Sequence, residues 1–106
     1  MSGIQFWRDS SQRLSFDLSH ISAADYPAIC KAVVSEFVLA QESELVVGLD
    51  QMFWGYRRGE QIIGLDWDIW MGFMVVAKTT ASEPLVQDIA KWLSESSWAT
   101  SKETQR

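Results

Sequence analysis

The chain has 106 residues, 47% of them apolar, and carries 14 acidic against 9 basic side chains. This length suits one domain with a single hydrophobic core, and the apolar fraction excludes a chain that is disordered throughout. The formal net charge of −5 opposes binding to nucleic-acid phosphates or to an anionic membrane surface, so we expect neither as a partner.

The sequence predicts a cytoplasmic protein without an export signal. The N-terminal stretch MSGIQFWRDSS lacks a basic start followed by an apolar run, and no apolar run reaches the roughly 20 residues needed to cross a bilayer. Cys30 and His20 are the only residues of their types, which excludes an internal disulfide and the usual spacings of a structural zinc site. We expect neither a metal nor a cofactor.

The first elements in chain order form a predicted β-hairpin. Ile4 and Phe6 flank a polar residue, and Leu14, Phe16 and Leu18 alternate with polar side chains, as in a strand with one solvated face. The intervening DSSQ is typical of a turn, because Asp and Ser side chains can bond nearby backbone amides.

A helix is predicted over residues 25–39, where the apolar side chains fall on one face. Two starts are compatible with the sequence. Ser22 with Asp25 can form a capping box, or Asp25 can cap a helix that has Pro27 in its first turn.

Three further strands are predicted at about 51–57, 61–67 and 71–78, with the Gly-containing turn RGE between the first two. The preceding segment, QESELVVGLD, begins polar and is compatible with a loop that becomes a short strand. After the last strand, Ser82 is a candidate N-cap for an amphipathic helix over 83–95, and Glu83 suits the positive end of its dipole.

The predicted order is therefore β-β-α-β-β-β-α. Two helices with one apolar face each, and strands that mostly alternate, describe an α+β two-layer sandwich in which a mostly antiparallel five-stranded sheet carries both helices on one face. Residues 1–96 are expected to form this single domain, and residues 97–106 a flexible C-terminal tail.

The stretch GLDWDIWMGF, residues 64–73, has a structural and a functional interpretation. In the structural one, Asp68 accepts backbone N–H bonds at a hairpin corner, and Gly72 allows a close backbone approach or a bulge. In the functional one, Asp66 and Asp68 form an oxygen-rich pair beside indole rings, which could hold a cationic side chain or, less favourably, a divalent cation.

The uncovered face of the predicted sheet is the candidate contact surface, since it collects the aromatic side chains that do not point at the helices. Exposed aromatic residues are enriched at protein interfaces. The predicted binding residues are Trp54, Tyr56, Asp66, Trp67, Asp68 and Trp70.

Other chemically active residues favour structural roles. His20 lies where a strand passes into a loop and suits a solvated or backbone-bonded turn residue, while Cys30 lies in the apolar stripe of the first helix. No phosphate-binding glycine loop, serine-nucleophile elbow or zinc-protease motif occurs, so the sequence predicts no catalytic residues.

Residues 62–93, IIGLDWDIWMGFMVVAKTTASEPLVQDIAKWL, resemble the later half of small acidic bacterial α+β proteins. Those proteins share a strand with a Trp-Asp pair, a following Trp and Gly, another strand and a closing helix. Some similar proteins are immunity proteins that neutralise a secreted toxin by tight binding. The resemblance implies a fold and carries no site residues.

The leading hypothesis is a non-enzymatic interaction protein, such as an immunity or inhibitor protein, that presents an acidic, Trp-rich sheet face to a basic partner. The first alternative is a small-ligand or carbohydrate-binding module, in which Trp67 or Trp70 stacks on a ring beside an acid. The second is a small hydrolase or isomerase that uses Asp66, Asp68 and His20. Homodimerisation would be another way to cover the aromatic side chains.

Overall fold

A computed structural model of the chain describes residues 4–99 and contains ten main elements. In chain order they are β1 (Phe6–Arg8), β2 (Leu14–Leu18), α1 (Tyr26–Phe37), β3 (Ala40–Gln41), β4 (Val46–Val47), β5 (Gln51–Phe53), β6 (Gly55–Arg58), β7 (Gln61–Asp68), β8 (Gly72–Ala77) and α2 (Glu83–Ser94), with short 3-10 helices at Thr80–Ser82 and Ser97–Ala99.

The strands form one antiparallel sheet in the order β1-β2-β8-β7-β5-β4, and β6 pairs with both β7 and β3. The long hairpin of β7 and β8 lies at its centre. There Leu65 is opposite Val75, which in turn is opposite Phe16 of β2. The sheet therefore brings the N-terminal hairpin against the last strand of the chain.

The predicted strand at 51–57 is divided at Trp54. β5 and β6 lie before and after this residue, and both pair with β7. The next position outward in the sheet is also occupied by two short strands, because β4 pairs with β5 and β3 pairs with β6. The segment that the sequence left undecided thus supplies two short edge strands in addition to the five predicted strands.

One face of the central strands supplies the core. Ile63 and Leu65 of β7 are fully buried on this face, as are Phe73 and Val75 of β8. Apolar residues of both helices belong to the same cluster: Tyr26, Ile29, Cys30 and Val33 from α1, and Leu85, Val86, Ile89, Ala90 and Leu93 from α2. Because successive strand residues point to opposite faces, both helices cover the same side of the sheet. The predicted α+β two-layer sandwich is confirmed.

The helix termini use local contacts. Asp25 occupies the N-cap position of α1, and Pro27 lies in the first turn, where a missing backbone N–H costs nothing. Ser82 occupies the N-cap position of α2, although its hydroxyl donates to the carbonyl of Thr79 at 2.7 Å. Glu83 accepts from Arg8 of β1 at 2.8 Å, and this hydrogen bond lowers the pKa of Glu83.

The described part of the chain ends in a 3-10 helix, Ser97–Ala99, whose Trp98 packs against the core. The predicted flexible tail begins at this helix, and its residues 100–106 lie outside the described residues. Among residues 4–99, no helix has the length and apolar character that a transmembrane helix requires.

Candidate functional site

At the corner between β7 and β8, Asp68 and Gly72 have the structural roles that the sequence predicts for them. The Asp68 carboxylate accepts the backbone N–H groups of Trp70 at 2.9 Å and of Met71 at 2.6 Å. Gly72 has a φ of +74°, and a Cβ there would lie 2.4 Å from the carbonyl oxygen of Leu18. Asp68 therefore holds the turn, and Gly72 lets the turn approach the end of β2.

Asp66 is a buried carboxylate on the sheet face away from the helices. Its side chain is 5% exposed, and desolvation raises its pKa from 3.8 to about 6. The Lys78 ammonium and the backbone N–H of Trp54, 3.4 Å from Oδ1, partly oppose this rise. Gly64 leaves room for the carboxylate, because a Cβ at Gly64 would lie 3.1 Å from both of its oxygens.

Three of the predicted binding residues lie on the helix-covered face instead of the uncovered one. The ring of Trp54 packs against Tyr56 at 5.4 Å and against Tyr26 of α1 at 6.5 Å, measured between centroids. Trp67 donates its Nε1–H to the carbonyl of Ile21 at 2.8 Å. The prediction that these side chains form a Trp-rich open face is wrong, because strand alternation places them with Ile63 and Leu65 and their large rings fill the space beside α1.

The uncovered face carries few aromatic side chains among the described residues. Trp7 is half-buried and donates its Nε1–H to Asp17 at 2.9 Å, so its polar atom is already bonded within the sheet. Phe53 lies on the same face at the other side of the sheet, since its neighbour Met52 pairs with Trp67 of the covered face.

Trp70 is the one predicted aromatic binding residue that is largely exposed to solvent, with 77% of its surface exposed. It lies at the tip of the β7–β8 corner. The corner touches the β4–β5 hairpin, since the backbone N–H of Ile69 donates to the carbonyl of Asp50 at 3.0 Å. The two tips therefore form one continuous end of the sheet.

This end of the sheet carries a group of exposed apolar side chains that we call the apolar edge: Leu45, Val46, Val47, Leu49, Phe53, Ile69 and Trp70. Leu49 is 99% exposed, and every residue from position 40 to position 51 is exposed. Exposed apolar side chains that are concentrated at one end of a folded domain indicate a contact surface.

The charged residues next to the apolar edge in the sequence are acidic. Glu44 and Asp50 flank β4, and Asp68 lies opposite Gln51. No Lys, Arg or His occurs at positions 32–56 or 59–77 of the chain. The edge therefore combines apolar surface with acidic side chains that have no adjacent basic residue in sequence.

Sequence reasoning found Trp70 and missed the other members of the apolar edge. The available signal was the run LVVGL at 45–49, which lies between two acids and does not alternate. Read alone, that run is also compatible with a buried strand. Its exposure follows from its position on the outermost strand, which neither helix covers.

His20 lies apart from the predicted acidic pair. Its Nε2 donates to the backbone carbonyl of Trp98 at 2.8 Å. It also lines a cleft of about 290 Å³, together with residues that include Asp17 and Ser19; Asp66 and Asp68 are not among the described residues that line it. The structure thus does not unite His20 with the acids of the hydrolase alternative.

Cys30 is buried in the core beside Tyr26, and burial raises its pKa to about 12. Its thiol is therefore neither accessible nor ionised at neutral pH. Among residues 4–99, no group of three or more His, Cys, Asp or Glu side chains is arranged to hold a metal ion.

No protein-family model, curated protein or solved structure matches the chain. The resemblance of residues 62–93 to small acidic bacterial proteins therefore stays a prediction.

Proposed function

We propose that the chain is a non-enzymatic interaction domain that binds a basic partner protein at the apolar edge. The main observation in support of this proposal is that seven exposed apolar side chains and several acidic residues occur at the same end of the sheet. Apolar side chains that are left exposed by one chain are available for burial against another, which is the main favourable contribution to association.

The two kinds of side chain have different roles in this proposal. Trp70 and Leu49 supply apolar area, and an exposed indole is the residue type most often found at the energetic centre of an interface. Glu44 and Asp50 attract a positively charged partner and raise the association rate at low ionic strength. Immunity or inhibitor proteins act by this type of tight binding.

Self-association is the competing use of the same surface. Two copies would bring acidic edges together in a molecule that already has a net charge of −5. Repulsion between like charges opposes that arrangement. The charge therefore favours a basic partner over a second copy.

The test compares capture of proteins from the source cells by the wild-type chain and by the double variant Leu49→Ser, Trp70→Ser. Both side chains are exposed, so the variant should keep the fold, which thermal unfolding checks. Recovery of a specific basic partner should fall at least about 10-fold, since truncation of a central aromatic anchor commonly costs about 2 kcal/mol or more.

A matched control is Val38→Asn, which removes an equally exposed apolar side chain beyond the apolar edge, at the end of α1. Recovery of the partner by this control should equal that of the wild-type chain. A partner that the double variant retains in full would contradict the proposal.

A further inference from the structure

The outer side of β4 presents backbone groups without a strand partner. β4 is the last strand of the sheet in the described part of the chain. The backbone N–H of Gly48 donates to the carbonyl of Gln51 at 2.7 Å, which makes these residues a hydrogen-bonded pair at the end of the hairpin. In an antiparallel ladder such pairs alternate with non-bonded ones.

The register then decides which backbone groups of β4 face outward. Val46 is opposite Phe53, and Val47 is opposite Met52. Counting outward from Gly48, Val47 is at a non-bonded position and Val46 at a bonded one. The N–H and C=O groups of Val47 therefore point away from β5.

β4 is a very short edge strand, which limits pairing, but it lacks the residue types that commonly block an edge. Exposed edges are commonly blocked by a lysine, a proline or an inward-pointing charge, whereas β4 consists of two valines. Of the other edge strands, β3 lies beside β6, where Arg57 binds Glu42, and β1 ends at Arg8, which is bound to Glu83 of α2. β4 is thus the edge of this sheet that is open to another strand.

The charge near β4 indicates the chemistry of the strand that it would take. Glu44 precedes β4 and Asp50 follows it, and no basic residue occurs within positions 32–56. An added strand with lysine or arginine side chains would be attracted by these acids, whereas an acidic strand, including a second β4, would be repelled.

We propose that the partner contributes an extended, basic segment that pairs with β4 as an additional strand of the sheet. This inference rests on the proposed function and specifies how the same surface is used. Backbone hydrogen bonds to Val47 would supply affinity, and alternating apolar and basic side chains on the added segment would supply selectivity.

The direct test is binding of a nine-residue peptide in which lysine and valine alternate. Binding is monitored through the backbone amide signals of the intact chain in 15N NMR. The largest shift should occur at Val47. A peptide with glutamate in place of lysine should bind at least about 10-fold more weakly. Peptides that are N-methylated at the lysines or at the valines keep the charge but lose the backbone donors of one edge or the other, so the one methylated on the pairing edge should also bind at least about 10-fold more weakly.

A pair of variants isolates the backbone contribution. Val47→Pro removes the outward-facing N–H, while Val47→Thr changes the side chain and keeps that donor. Both variants lose the valine side chain, so the comparison is between them: peptide affinity of the proline variant should be at least about 10-fold below that of the threonine variant. If the proline variant does not fold, the N-methylated peptides on the wild-type chain decide the same question.

Equal affinity for the unmodified peptide and both N-methylated peptides would overturn strand addition, and so would equal affinity of the two Val47 variants. Strand addition by a partner would also be overturned if light scattering showed that the wild-type chain is a dimer and that Val47→Pro is a monomer. The open edge would then be occupied by a second copy.

Capture of the cellular partner separates this inference from the proposed function. If Leu49→Ser, Trp70→Ser loses the partner but Val47→Pro keeps it, the apolar edge binds without strand addition. If neither change affects capture, both proposals fail.

Discussion

Replacement of Asp66 by asparagine should stabilise the protein at neutral pH and not at pH 4. Burial raises the pKa of Asp66 to about 6, while the unfolded chain has a value near 3.8. A carboxyl group with a higher pKa in the folded state favours folding when it is protonated. That contribution is fully present below about pH 4 and is lost as the pH rises through about 6.

The magnitude follows from the gap between the two pKa values. From 3.8 to about 6, at 1.36 kcal/mol for each pH unit, the ionised Asp66 costs about 3 kcal/mol of folding free energy at pH 7. The asparagine side chain has no charge to desolvate, and its carbonyl oxygen can still accept the backbone N–H of Trp54. The free energy of unfolding of Asp66→Asn should therefore exceed that of the wild-type chain by about 2 to 3 kcal/mol at pH 7 and be nearly equal at pH 4.

The assay is urea unfolding followed by tryptophan fluorescence at several pH values between 4 and 8. Taking the difference between the two proteins cancels the titration of all other groups. Asp88→Asn, at an exposed position of α2, controls for the change in net charge. Lys78→Met should raise the pKa of Asp66 further, because it removes the ammonium that lowers it.

A difference in unfolding free energy that stays constant from pH 4 to pH 7 would refute this reasoning. So would an Asp66 carboxyl signal in 13C NMR that titrates near pH 4, since either result would mean that water reaches the carboxylate in the folded protein.

Three further predictions concern single positions. Gly72→Ala should destabilise the protein by about 2 kcal/mol or more in urea unfolding, because φ is +74° and the new Cβ would meet the Leu18 carbonyl. Val38→Asn should stabilise it by about 1 kcal/mol, because Val38 is a β-branched residue in the left-handed conformation, with a φ of 54°. Cys30 should react with a thiol-specific disulfide reagent at pH 8 at least about 100-fold more slowly in the folded protein than in urea, because its thiol is buried with a pKa of about 12.

The helices were predictable because their apolar residues recur at helical spacing and few local alternatives compete. The predicted spans of 25–39 and 83–95 correspond to Tyr26–Phe37 and Glu83–Ser94. The β7–β8 hairpin was predictable for a related reason. Asp68 and Gly72 perform the corner roles assigned to them, which depend on contacts within a few residues and on one close approach to β2.

The edge strands and the site were less accessible to this reasoning. β3 and β4 have two residues each, too few for a period-two pattern to be recognised. For Trp54, Tyr56 and Trp67, the alternation of side chains along the strands can be read from the sequence, but it shows only that these residues share one face of the sheet. It does not say which face the helices cover, and an aromatic side chain suits a core as well as an interface.

The sequence by itself determined the fold class and the sign of the charge, because hydrophobic periodicity and net charge are properties of the chain that do not require knowledge of distant contacts. Only the tertiary structure decided which apolar side chains remain in water. Trp54 and Trp67 are partly buried against elements distant in sequence, whereas Leu49 and Trp70 are exposed where two hairpin tips meet at the end of the sheet. Exposure depends on what packs against a residue, and that packing is a property of the assembled layers.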